Sequence, residues 1–211
     1  MEMTHPQRNN VSDIPCCQPS LFDYLERQQP LYAILDAARD RSIKEYLHNS
    51  HLPTLSLFEG RHAETLAEFA PYLTKLPPSH PFLEALTNHA WGNSWGIYFL
   101  SQHPVEAILA HLKKQLWAHT PNGRMLFRFY DPRVLREYLP VFDASTAREF
   151  FGPVNAFFME NENGDALLRF TLGGEGAILE TMTLGCAINP PHCQLEPRPS
   201  ADRSRTAGTG V

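Results

Sequence analysis

Three acidic residues each follow a short apolar run that is typical of a β-strand. Asp36 comes after LYAIL, Glu59 after LSLF and Asp131 after RFY. If these strands run parallel, their carboxylates meet at one edge of the sheet, where open α/β folds bind their ligands. Three carboxylates at such an edge could hold a divalent metal for phosphoryl transfer or hydrolysis. A metal-dependent enzyme is therefore one interpretation of the chain.

The same acids also occupy positions that are typical of helix caps. A carboxylate directly after a strand can accept hydrogen bonds from the first backbone N–H groups of the next helix, and Asp131 followed by Pro132 fits this role. Arg39, Arg128 and Arg133 could neutralise the acids without a metal. Because capping alone accounts for acids at strand ends, we favour this structural interpretation and expect neither a metal nor a cofactor.

Arg128 is unusual because it lies inside an apolar run, MLFRFY, that we interpret as a strand. A charged side chain within a strand must either reach the surface or find a partner. We expect that partner to be a carboxylate at a strand end, Asp36 or Asp131, since a guanidinium can bind a carboxylate through two parallel hydrogen bonds.

The segment WGNSWG, residues 91–96, combines two indole rings with two glycines. Gly92 is typical of the left-handed residue that ends a helix, and Gly96 of a turn into the next strand. Trp91 and Trp95 are then held near a turn. Core packing is the usual role of such rings, whereas a partly exposed indole at a turn is also a typical anchor for a protein partner.

Short apolar runs alternate with helical patterns through most of the chain, which predicts an α/β fold. Runs that are apolar on both faces indicate strands covered by helices on both sides. We therefore predict a mixed, largely parallel sheet flanked by helices and ending in an antiparallel hairpin formed by residues 154–160 and 166–172. The apolar spacing within residues 66–73 predicts one of the helices.

Length and composition limit the function classes. The chain has 211 residues, of which 43% are hydrophobic, and this is enough for one domain with a core. We expect a mobile segment at 1–20, a single α/β domain at 21–189 and a disordered tail at 190–211. The formal net charge of -5, with no basic stripe, argues against nucleic acid as a partner. Since no apolar run of ~18 residues and no export signal is present, we expect no membrane contact and a cytoplasmic location.

The four cysteines, Cys16, Cys17, Cys186 and Cys193, do not have the paired C-x-x-C spacing of a zinc knuckle. A metal site that joins Cys186, His192 and Cys193 is the alternative. We favour free thiols in a reducing compartment.

Five segments occur in a fixed order along the chain: LYAILDAARD, LSLFEG, APYLTKLP, WGNSWGIYFLS and RFYDPRVLREYLP. This ordered set resembles the adaptor or chaperone family of bacterial type VI secretion, long catalogued as a domain of unknown function. The resemblance covers residues 31–158, and the ordered set is specific although each segment alone is weak. It implies a protein without enzymatic activity that binds a toxic effector in the cytoplasm and helps to load it onto the valine-glycine-repeat spike protein. The chain departs from many relatives in being short, with the hairpin and a polar tail in place of a following helical region.

The family motifs place a set of residues at candidate partner-binding positions. These are Asp36, Trp91, Trp95, Arg128, Tyr130, Asp131 and Arg133. Asp131 and Pro132 are expected to start a helix. Arg128, Tyr130 and Arg133 are expected to present a polar and aromatic rim that orients the partner. Charge reversal of both arginines is then expected to leave the fold intact and to weaken capture of the effector.

Overall fold

The computed structural model describes residues 20–120 and 123–184, which form seven α-helices and nine β-strands. The helices are α1 Leu21–Glu26, α2 Ser42–Asn49, α3 Gly60–Thr65, α4 Pro81–His89, α5 Val105–Gln115, α6 Pro132–Tyr138 and α7 Ala144–Phe151. The strands are β1 Leu31–Asp36, β2 Thr54–Ser56, β3 Pro71–Leu76, β4 Gly96–Leu100, β5 Trp117–Thr120, β6 Gly123–Leu126, β7 Ala156–Glu160, β8 Ala166–Leu172 and β9 Ala177–Thr183. The expectations for residues 1–19 and for the tail from residue 190, together with all four cysteines, fall outside the described residues.

Seven strands form one sheet in the order β2-β3-β1-β4-β7-β8-β9, and β5 and β6 form a separate two-stranded sheet. Every strand pairing among the described residues is antiparallel. The prediction of a largely parallel sheet is therefore wrong. The predicted hairpin is present, because β7 and β8 pair directly with Phe158 opposite Arg169.

Residues 66–73 do not form the helix that the sequence predicts, and this is one reason why the predicted strand directions are wrong. The predicted helix is replaced by a 3₁₀ turn at Ala67–Phe69 and the start of β3. Its apolar residues do not share a face, since Phe69 is 56% exposed whereas Leu73 is buried. β1 and β2 do point in the same direction, but β3 lies between them and pairs antiparallel with both.

Helices cover both faces of the large sheet, which explains why its central strands are apolar on both sides. Ile34 of β1 and Phe99 of β4 belong to a core shared with α5, α6 and α7. Leu35 of β1 and Tyr98 of β4 belong to a second core on the opposite face, shared with α1, α2 and α4. Each large apolar side chain buried in these layers contributes about 1.5–3 kcal/mol relative to exposure. Antiparallel strands covered on both faces thus have the apolar pattern that is usual for parallel ones.

The stretch MLFRFY, which the sequence predicts as one strand, is divided between two kinds of structure. β6 ends at Leu126, and residues 127–130 lead without strand pairing into α6. Arg128 therefore does not lie inside a strand. Phe129 and Tyr130 are buried in the first core, and this burial fixes the course of the segment on either side of Arg128.

In the part of the chain that the structure covers, no helix is long and apolar enough to cross a lipid bilayer.

Gly96 opens β4 at a point where β1 approaches closely. It pairs with Leu35, and a Cβ atom built on Gly96 would lie 1.9 Å from the backbone oxygen of Ile34. An alanine here must push two central strands apart. The close approach therefore requires glycine at the junction between the WGNSWG segment and the sheet.

Gly96→Ala is expected to lower the free energy of unfolding by about 3 kcal/mol or more, because the methyl group overpacks the sheet against a backbone atom. Urea unfolding followed by circular dichroism measures this loss. Gly174→Ala is the matched control, since Gly174 is exposed and its added Cβ would meet nothing within 4 Å. Equal unfolding midpoints for the two variants would contradict the assigned pairing of β1 with β4.

Candidate functional site

Asp36, Arg128, Asp131 and Arg133 form one charged cluster where the end of β1 meets the start of α6. The Asp36 side chain is fully buried, and one of its carboxylate oxygens, Oδ2, accepts a hydrogen bond from the NH2 group of Arg128. Its Oδ1 accepts a second bond from the backbone N–H of Ala38 at 3.1 Å. The expected pairing of Arg128 with a strand-end carboxylate is confirmed.

Asp131 caps α6 and holds Arg133 at the same time. Its Oδ1 accepts hydrogen bonds from the backbone N–H of Arg133 at 3.0 Å and from the Arg133 Nε–H at 2.9 Å. Its Oδ2 accepts from the NH2 group of Arg133 at 2.6 Å, which completes a forked ion pair. Pro132 occupies the first helical turn, where a missing N–H costs little. The predicted cap is therefore confirmed, and the capping carboxylate is also an ion-pair partner.

The charges in the cluster shift the pKa values of its groups. Burial alone would raise the pKa of Asp131, but the hydrogen bonds and positive charge of Arg133, with a contribution from Arg128, hold that pKa below its ordinary value. Burial would lower the pKa of the Arg128 guanidinium, and its bond to Asp36 raises that pKa instead. Burial, together with the charge of Asp36, raises the pKa of Tyr130 to about 12. At neutral pH Asp131 is thus an ionised carboxylate, Arg128 and Arg133 are guanidinium ions, and Tyr130 is a neutral phenol.

The two guanidinium groups are the parts of the cluster that reach the surface. The side chains of Arg128 and Arg133 are 39% and 45% exposed, whereas those of Asp36 and Asp131 are 0% and 2% exposed. Tyr130 is also buried, and the guanidinium carbon of Arg128 lies 5.9 Å from the centre of its ring. The Tyr130 ring therefore packs against Arg128 from the buried side. The expected polar and aromatic rim consists chiefly of exposed guanidinium groups.

The WGNSWG segment, which we call the tryptophan loop (residues 91–96), borders the charged cluster. The backbone oxygen of Trp95 accepts a hydrogen bond from the Asp36 N–H at 2.8 Å. The oxygen of Asn93 accepts one from the Arg39 NH2 group at 3.2 Å. The motifs that lie apart in the sequence are thus adjacent in the fold.

Both indole rings of the tryptophan loop are buried. Trp91 and Trp95 are each 7% exposed and belong to the second core. The Nε1–H of Trp91 donates to the backbone oxygen of Gly164 at 2.8 Å, and the Trp95 ring packs edge-on against Tyr46 at 5.3 Å. Core packing, the usual role of such rings, is what the structure shows. Direct contact with a partner would require the loop to open, and a binding role for these two residues stays a prediction.

Glu160, at the end of β7, is a further member of the site that the sequence analysis missed. Its buried carboxylate accepts hydrogen bonds from the backbone N–H of Gly92 at 2.5 Å and from both the N–H and the hydroxyl of Ser94 at 2.9 Å. Burial raises the pKa of Glu160 above its ordinary value, although these bonds counteract the shift. The available sequence signal was an acid that ends a strongly apolar strand, but the loop that it binds lies 66 to 68 positions away.

The three acids of the metal hypothesis are each paired with a basic side chain. Glu59 is exposed and pairs with Lys113 of α5 at 2.8 Å, whereas Asp36 and Asp131 bind arginines. Within residues 20–120 and 123–184, no three His, Cys, Asp or Glu side chains are grouped as a metal site would require. The alternative site with Cys186, His192 and Cys193 lies outside the described residues. Asp36, Glu59 and Asp131 are therefore not brought together as ligands for a catalytic metal.

The geometry favours recognition over proton transfer. Each buried carboxylate of the cluster already accepts hydrogen bonds from arginine or from the backbone, and Glu160 accepts them from the tryptophan loop. A general acid or base must instead reach a substrate proton. The outward groups, Arg128 and Arg133, are donors that do not lose their protons at neutral pH. Such a surface can bind and orient a partner.

The observed pairing overturns one expectation about mutants. Arg128→Glu would place a second carboxylate against the fully buried Asp36 and remove its counter-ion. Breaking a buried ion pair in this way costs about 3–5 kcal/mol. Charge reversal at Arg128 is therefore not expected to leave the fold intact.

Asp131→Asn is expected to lower the free energy of unfolding by about 1–2 kcal/mol at pH 7, because asparagine still caps the helix but cannot form the ion pair. In the folded protein the pKa of Asp131 lies below the unfolded value of 3.8, so the stabilisation is present above that pH and is lost as the pH falls through the folded pKa. The difference between wild type and variant should therefore shrink at low pH, as measured by urea unfolding over a pH series.

Asp143→Asn provides the control, since Asp143 caps α7 by accepting a hydrogen bond from the Thr146 N–H at 2.7 Å without a paired arginine in its cap. This variant should lose less stability at pH 7. Equal, pH-independent losses for both variants would contradict the ion-pair role of Asp131.

Comparisons with known proteins identify a family for the chain. A search among curated proteins and a search among solved structures each found no match. One family model matches residues 31–149, a span that contains β1, the tryptophan loop and the charged cluster. That span is more than half of the 211 residues, and the chain belongs to the family described as a domain of unknown function, DUF4123.

Proposed function

We propose that the protein is an adaptor that binds a type VI secretion effector and helps to load it onto the spike protein of the secretion machine. The resemblance of its ordered motifs to the adaptor family supports this role. The observation that carries the proposal is the convergence of those motifs on one cluster, in which buried carboxylates hold two arginines toward the surface. This arrangement is suited to binding a polypeptide, a role that requires no catalytic residues.

An apolar surface at the other end of α6 from the cluster could supply the affinity that charges alone do not. α6 begins at the cluster and ends at Tyr138, which is 48% exposed, and the following 3₁₀ turn contains Val141, which is 74% exposed. A cavity of about 350 Å³ lies nearby, and its walls include Phe127, which contacts Tyr138, and Phe142. Exposed apolar and aromatic groups together with an oriented charged group are typical of protein-binding surfaces.

The enzyme alternative gains no support from the arrangement of Asp36, Glu59 and Asp131. Glu59 forms an exposed ion pair with Lys113, and each of the two aspartates is occupied by arginine. A hydrolytic or phosphoryl-transfer role would need these contacts to be broken before a metal could bind.

Affinity purification of the tagged protein from its native host is expected to recover a toxic effector and its spike protein, identified by mass spectrometry. Val141→Glu is expected to reduce the recovered effector about tenfold, because it places a charge in the apolar surface at the end of α6. Its thermal midpoint should stay close to wild type, since the residue is exposed.

Phe69→Glu is the matched control for this experiment. Phe69 is also an exposed apolar residue, but it lies beside β3, toward the opposite edge of the sheet from β9 and the Val141 turn. The control should recover the effector as well as wild type does. A wild-type protein that is recovered alone from cells producing an effector and a spike would refute the adaptor role.

Magnesium and manganese are expected to leave the thermal midpoint of the protein unchanged. A ligand that binds only the native state must raise that midpoint. The measurement is a melting curve at millimolar metal with a chelator-treated sample as reference. A clear increase that Asp36→Asn or Glu59→Gln abolishes would favour the metal-dependent enzyme.

A further inference from the structure

Arg128 and Arg133 form a pair of adjacent guanidinium groups. Their NH2 groups both approach the same oxygen, Oδ2 of Asp131, at 3.7 Å and 2.6 Å. The carboxylate lies beneath them and is 2% exposed, whereas the arginines are 39% and 45% exposed. The two guanidinium groups are therefore held by a buried carboxylate and are accessible to a partner from solvent.

The pair is held in position before any partner arrives. Arg133 forms its fork to Asp131 through Nε and NH2, and Arg128 is held by Asp36 and by the ring of Tyr130. Two of the five N–H donors of Arg133 serve this fork, and donors on the exposed side can serve a further acceptor. Because the side chains are already ordered, binding there would cost less conformational entropy than at free surface arginines.

The sign of the exposed charge indicates the chemistry of the partner. The carboxylates of Asp36, Asp131 and Glu160 are buried, whereas Asp40 and Glu137 are exposed acids nearby. Exposed Arg39 also lies close by, where it donates to the backbone oxygen of Asn93. Arg136 of α6 lies near the buried Glu160 and pairs with the exposed Glu137 at 4.0 Å. The groups that the cluster itself exposes are therefore guanidinium groups, on a protein whose formal net charge is -5. A short acidic segment fits this contrast, whereas a long polyanion such as nucleic acid would be repelled by the remaining surface.

We propose that Arg128 and Arg133 bind a carboxylate-bearing segment of the protein partner, through aspartate or glutamate side chains or a chain terminus. This inference rests on the proposed adaptor function, since it specifies what the effector presents to the cluster. Arginine binds carboxylates through paired, charge-assisted hydrogen bonds, and the two adjacent guanidinium groups can engage neighbouring carboxylates. The buried carboxylates orient the two guanidinium groups, and the partner's carboxylates bind to the exposed side of these groups.

The first test uses the purified full-length chain and two peptides, hexaglutamate and hexaglutamine. Nuclear magnetic resonance of the arginine Nε–H groups measures binding at individual residues. Hexaglutamate is expected to shift the signals of Arg128 and Arg133, and added salt should weaken the effect. Hexaglutamine should cause no such shift. Equal shifts with both peptides, or stronger shifts with inorganic phosphate than with hexaglutamate, would overturn the proposal.

Arg133→Gln is expected to weaken hexaglutamate binding about tenfold or more, the factor that corresponds to the loss of a charged hydrogen bond. Arg148→Gln is the control, because Arg148 is an exposed arginine on α7 outside the pair. Arg133→Lys keeps the charge but loses the fork and should give an intermediate affinity. A melting curve for each variant establishes that it is folded. Equal losses at Arg133 and Arg148 would count against a specific site.

Affinity purification from the host separates this inference from the adaptor role. If wild type recovers an effector and Arg133→Gln recovers about tenfold less, both are supported. If both recover the effector equally, the carboxylate site is refuted while the adaptor role stands. If wild type recovers no protein partner, the adaptor role fails whatever the peptides show.

Discussion

A fully buried carboxylate at the end of β1 constrains the surrounding structure. An unpaired charge in that position would cost several kcal/mol, so Asp36 requires a counter-ion, and Arg128 supplies it. This requirement fixes the entry into α6, because Arg128 lies three residues before Asp131 and the helix begins directly after. The position of the exposed guanidinium groups is thus a consequence of neutralising a charge in the core.

The parts of the site that depend on local chemistry could be predicted from the sequence. The cap at Asp131 and the pairing of Arg128 with a strand-end acid follow from what each residue type needs. Strand direction could not be predicted in the same way, since it depends on which distant segment pairs with which. β3 illustrates this limit, because its apolar residues continued a helical spacing across two different elements. Glu160 was missed for a related reason, since its partners become neighbours only when β7 pairs with β4.

Most residues of the family motifs build the site without being exposed in it. Trp91 and Trp95 fill the second core, and Gly96 permits the close approach of β1 and β4. What remains at the surface is a pair of guanidinium groups and, at the far end of α6, an apolar patch around Tyr138 and Val141. Motif positions therefore indicate where the site is, whereas exposure indicates which groups a partner can contact.

The long sequence separation within the site has a consequence for protein synthesis. Asp36 and Arg128 are 92 positions apart, and the carboxylate that holds the tryptophan loop arrives 68 positions after Gly92. While the ribosome has released only the segments up to β6, the loop has no Glu160 to hold it. A partly synthesised chain therefore cannot fix the tryptophan loop through Glu160 until its translation has passed β7.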